Sequence, residues 1–282
     1  MKSGRSQPQF APLVQAYLAA ITRICAEGEY AIASVILFGS VAVSDFRGNV
    51  SDVDLILVLD DEASPENRTR LSNYVMGLEI FHGLRKAPTR KGVLEVAFDR
   101  ISASDSSFFI CMRTDLLSGL PSRILSLHPA QAFFVDRIVI PGILSSAVTF
   151  WGEELLTEVV LEPIRRLDVF KAFFGFFCQA AVSALLFPVL PGATRYALAT
   201  LKHSVRSCYF CYQAGHATLA EEVDYFRIRF GPSRALEQLL LLRRGYTRSF
   251  GFVVRCMPAL VRLHWRTALD NRFPLSCRKI AC

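Results

Sequence analysis

The chain has 282 residues and a mass of 31.5 kDa, room for two small domains or one large one at roughly 100–200 residues per domain. With 52% apolar and 20% charged residues it is neither a disordered chain nor a small scaffold stapled by disulfides. Charge is uneven: residues 1–150 carry 14 Lys+Arg against 15 Asp+Glu, whereas 151–282 carry 18 against 10, so the net +7 comes from the second half, which suits an anionic partner.

Leu13, Tyr17, Leu18, Ile21 and Ile24 recur at helical spacing, and residues 11–27 are predicted to form an amphipathic helix ending near Gly28. Ala31–Phe38 reads as a buried strand that stops at Gly39-Ser40, and Val53–Leu59 as a second strand bounded by Asp60-Asp61. Residues 65–84 read as a helix with Pro65 just inside a Ser64 cap, and Val93–Phe98 as a third strand. Beyond about residue 130 the pattern turns helical, with breaks at Gly142 and Pro188–Gly192 and apolar-periodic runs over 167–187, 194–214 and 233–263. The expected fold is α+β. A small α/β domain with a mixed sheet occupies 1–130, and a helical-bundle domain occupies 131–282.

Ala172–Leu190 runs 19 residues without a charge, close to the ~20 that cross a bilayer. Gln179, Ser183 and Pro188 interrupt it, so a buried core helix is expected rather than a membrane contact. The cysteines are scattered and the N-terminal MKSGRSQPQFAPLVQ lacks the apolar run of a secretory signal, which points to reduced thiols in a cytoplasm. Cys208 and Cys211 fall in the middle of an apolar helix and read as core thiols rather than zinc ligands. Arg243-Arg244-Gly245-Tyr246-Thr247-Arg248 mixes cations with an aromatic ring, as single-strand nucleic-acid binders do, but also fits a solvated helix end.

The informative segment is Phe38-Gly39-Ser40, eleven residues, then Asp52-Val53-Asp54. On a strand, alternate residues share a face, so Asp52 and Asp54 would aim two carboxylates at one spot while Val53 and Leu55 enter the core. Two such carboxylates repel unless a cation sits between them, and Mg²⁺ is the hard, oxygen-seeking ion that such a pair holds together with substrate phosphates. Where a strand hands over to a helix, Gly39 leaves the backbone open to a phosphate and Ser40 adds a donor. Glu95 interrupts an apolar strand and is the candidate third carboxylate, either as a metal ligand or as a general base.

These residues resemble the nucleotidyltransferase superfamily with the polymerase-beta-like fold, most closely the aminoglycoside adenylyltransferases. Leu94-Glu95-Val96 is similar to their third-acid segment, and Phe150-Trp151-Gly152-Glu153-Glu154-Leu155-Leu156 to the segment that opens their helical domain. The resemblance implies that Asp52 and Asp54 bind Mg²⁺ with Glu95 beside them, that Glu95 is the catalytic base, and that Gly39 and Ser40 hold the nucleotide phosphates. It also implies a basic residue reaching the triphosphate from the helical domain, for which Lys202 is the candidate. The reaction it implies is transfer of a nucleoside monophosphate, AMP from ATP or its counterpart from another triphosphate, to a hydroxyl of a small acceptor such as an aminoglycoside-like antibiotic. The alternatives are modification of a protein or RNA end, for which the basic second half speaks, and an inactive nucleotide-binding module.

Overall fold

The computed structural model describes residues 12–43, 53–85, 95–96, 107–126, 136–213, 215 and 217–270. Helix α1 (Pro12–Glu27) and strand β1 (Ile32–Phe38) come first, then one helical turn, α2 (Gly39–Ala42), strand β2 (Asp54–Leu59) and helix α3 (Pro65–Phe81). Strand β3 (Phe108–Met112), the short helices α4 (Arg113–Leu117), α5 (Pro121–Ile124) and α6 (Val139–Leu144), and strand β4 (Val148–Gly152) follow. The sheet order is β3-β2-β1-β4. β1 runs antiparallel to β2 and β4 while β2 and β3 are parallel, so the sheet is mixed as expected.

β1 and β2 read as continuous apolar runs because both faces of the sheet are covered. Val35, Leu37, Leu55, Leu57 and Leu59 pack on Tyr17, Leu18 and Ile21 of α1 and on Leu71 and Val75 of α3. The alternate residues Ile36, Phe38, Ile56 and Val58 pack on the other side against Leu116, Ile124, Ile140 and Leu144. The Ser64 hydroxyl accepts from the Asn67 N–H at 3.2 Å, capping α3 at its expected start.

The third strand lies elsewhere than expected. Glu95 and Val96, at the centre of Val93–Phe98, are helical, and Phe108–Met112 takes the place beside β2. All five of its side chains are apolar and fit a doubly covered sheet, whereas Glu95 would bring a carboxylate onto one covered face. Gly142 does not break the chain but sits inside α6, where burial of Ile140 and Leu144 offsets the ~1 kcal/mol helix penalty of glycine. β4 comes from beyond residue 130 and still pairs with β1, so the sheet draws on both sides of that point.

Five helices form the bundle: α7 (Arg166–Leu185), α8 (Ala193–Gln213), α9 (Leu219–Phe230), α10 (Arg234–Arg244) and α11 (Phe250–Leu269). α8 supplies Ala197, Leu201, Val205 and Cys208 to the core, packed on Leu236, Leu239, Phe252 and Leu260 from α10 and α11. The run over 233–263 is two helices, parted after Arg244 and restarted where the Ser249 hydroxyl accepts from the Phe252 N–H at 3.3 Å. The basic and aromatic segment between them holds helix ends together. Arg243 is buried, and the Arg248 guanidinium lies 4.5 Å over the Phe187 ring and donates to the Phe187 carbonyl. Cys208 and Cys211 are buried, with the Cys208 thiol pushed up to about 12 by burial, as core thiols should be.

Candidate active site

β1 and β2 bring the phosphate-loop candidates and one carboxylate together. Phe38 and Asp54 are directly paired across the two strands, so Gly39, the next residue, leaves the sheet beside the Asp54 side chain. Gly39 has φ +71, and a β-carbon built on it would stand 2.1 Å from Asp54 Oδ2. No L-residue fits there: the backbone angle is strained for one, and the Asp54 carboxylate occupies the space its side chain needs. Ser40 follows in the first turn of α2 and is buried, while Asp54 is half-buried at the mouth of the sheet. The site is therefore an open backbone, a hydroxyl and a carboxylate gathered at one end of two strands.

Asp52 lies outside the described residues. Glu95 is half-buried in its helical turn and does not flank Asp54 on a neighbouring strand, because that position belongs to β3. Among the described residues no group of three His, Cys, Asp or Glu side chains stands close enough to hold a metal ion. Asp54 alone still supplies the hard oxygen donor that Mg²⁺ prefers, next to a backbone with room for a phosphate. Lys202 is half-buried on α8, followed one turn later by Arg206. Between them His203 is exposed to solvent.

A buried ionic cluster props the site from behind. Glu79 on α3 pairs with Arg85 at 3.0 Å, the Ser107 hydroxyl donates to Glu79, and the Ser107 carbonyl accepts from the Leu55 N–H at 3.0 Å, one residue from Asp54. Sequence reading missed Glu79, although the signal is present: it falls on the stripe of Leu71 and Val75 at four-residue spacing, where a carboxylate is out of place unless paired. A second pair of carboxylates lies where the sheet meets the bundle. Buried Asp136 accepts from the N–H groups of Ile138 (2.8 Å) and Val139 (3.1 Å) at the start of α6, and buried Asp168 accepts from the Arg165 N–H at 2.7 Å ahead of α7. Burial, with a smaller contribution from the Asp168 charge, pushes the Asp136 carboxyl up to about 6 against those hydrogen bonds.

Residues 19–86 match the nucleotidyltransferase domain family, a span that begins in α1 and takes in β1, α2, Asp54 and α3. Among solved structures the chain is similar to spectinomycin adenyltransferase from Enterococcus faecialis, determined with ATP and spectinomycin. The likeness covers 88% of this chain and 98% of that one, with a TM-score of 0.53 at 10% sequence identity, which makes it a likeness of fold. No curated protein matches the chain in sequence.

Proposed function

From the premise that the chain carries a nucleotidyltransferase domain and is a transferase, we propose that it moves AMP from ATP to a hydroxyl of a small molecule, an aminoglycoside-like antibiotic being the acceptor class. The observation that carries this reading is the fit of Gly39 against the Asp54 carboxylate, which leaves backbone and acid side by side with no side chain between them. Gly39 and Ser40 cradle the triphosphate and fix its orientation for in-line attack. Glu95 takes the proton from the acceptor hydroxyl as that oxygen attacks the α-phosphorus, and pyrophosphate leaves. Mg²⁺ held by Asp52 and Asp54 would supply positive charge opposite the transferring phosphoryl group. Lys202 approaches the triphosphate from the bundle and offsets part of its charge.

Within that class, the cation excess of the second half favours an acceptor with few amino groups over a polycation. The buried thiols of Cys25, Cys111, Cys208 and Cys256 support a reducing, cytoplasmic setting. The test is incubation of the protein with ATP, Mg²⁺ and pooled hydroxylated antibiotics, followed by mass spectrometry. An acceptor carrying one added AMP is expected. Hydrolysis or nucleotide binding with no adenylylated product in any pool would contradict the reading.

A further inference from the structure

The bundle leaves one face bare. α7 is long and apolar enough to cross a membrane, yet only 28% of its most apolar window is buried, far less than a core helix requires. It packs antiparallel to α11, as shown by the ring contacts Phe170–Trp265 at 5.6 Å near one end and Phe187–Phe250 at 5.1 Å near the other. Beside that seam, α7 exposes Leu167, Phe174 and Leu185, and α11 exposes Phe250, Val261 and Trp265. On α11 the exposed residues follow a helical stripe, 250-254-261-265, on the side of the helix away from its buried residues. Leu185 is 79% exposed, Phe174 55% and Trp265 52%. Together the two stripes place large exposed apolar side chains side by side on neighbouring helices, the kind of patch that marks an interaction surface.

The exposed charges that the two helices themselves carry are all of one sign. α7 contributes Arg166 and Lys171 and α11 contributes Arg255, Arg262 and Arg266, while the acidic residue of α7, Asp168, is buried and α11 has none. Arg255, Arg262 and Arg266 donate to the neutral oxygens of Gln238, Pro232 and Phe230, so their charge persists beside the apolar stripe. A second copy docking here would bring two cationic rims together with no acid to pair them. An anionic bilayer complements both features, taking aromatic and aliphatic side chains at the acyl boundary and cations at the headgroups.

We propose that the face formed by α7 and α11 docks the protein on anionic lipid membranes, with both helices lying in the interface plane and neither spanning it. This surface is independent of the nucleotide site. The test is flotation of the full chain with phosphatidylcholine vesicles and with vesicles containing phosphatidylglycerol. The wild type should bind the anionic vesicles about tenfold more than the neutral ones, and added salt should weaken that binding. Leu167→Ser with Leu185→Ser should reduce binding by about tenfold, with melting temperatures held because both side chains are largely exposed. Failure to float with anionic vesicles, or flotation unchanged in the double variant, would overturn the proposal. So would a wild-type dimer in solution that the double variant dissolves, which would assign the face to a second copy.

Discussion

Single residues at this site are fixed by what lies opposite them. Gly39 is required by the Asp54 carboxylate across the strand pair rather than by the turn alone. That residue type was legible in the sequence, because a Gly-Ser pair at a strand end followed by Asp-x-Asp has few other uses. Asp136 was not legible, since nothing local marks a carboxylate that folding will bury. Its titration yields a prediction. The unfolded group ionises near the ordinary 3.8 and the folded one at about 6, so between those values the folded state holds a proton that the unfolded state has released. Raising the pH through that window therefore removes stability. Asp136→Asn keeps an oxygen for the Ile138 and Val139 N–H groups and has no proton to lose. The melting temperature of the wild type relative to this variant should fall across the window, by ~2–4 °C for each kcal/mol of linkage. Parallel melting curves from acid to neutral pH would contradict the assignment.

At the scale of elements, legibility followed how completely an element's surroundings were written into its own residues. β1 and β2 were readable because both faces of the sheet are covered and nearly every position is apolar, Ser34 and Asp54 excepted. β3 was not, since Val93–Phe98 and Phe108–Met112 are both short apolar runs and only packing chooses between them. α9 was overlooked although Thr218 and Glu221 form a capping box, its hydroxyl and carboxylate answering each other's backbone N–H groups. Its apolar residues, Leu219, Val223 and Phe226, are diluted by charges that face outward. The contact between α3 and the N-terminal end of β3 rests on Glu79, Arg85 and Ser107. Glu79→Ala would leave Arg85, only partly exposed, without its main partner and would loosen Ser107 from Leu55. The expected loss is about 3 kcal/mol in urea unfolding, as for other buried pairs broken on one side. A loss under about 1 kcal/mol would show that the cluster is dispensable.

For the whole molecule, a sheet that gathers Gly39, Ser40 and Asp54 at one end is followed in the chain by a helical bundle, and the proposed reaction would hold the triphosphate at the first and admit the acceptor at the second. The helical pattern read beyond about residue 130 did not anticipate β4, whose strand residues Val148–Gly152 return to β1. The uncharged run at 172–190 was likewise read as core because sequence shows apolarity but not coverage. In the fold it leaves a bare face. The account turns on Asp54, the carboxylate lying against Gly39. The most direct measurement is pyrophosphate release from ATP with Mg²⁺ and pooled acceptors, comparing wild type with Asp54→Asn and following ATP binding in parallel by melting temperature. Acceptor-dependent release by the wild type is expected, with a loss of about 100-fold or more in the variant, whose fold is retained. Release by Asp54→Asn at the wild-type rate would contradict it.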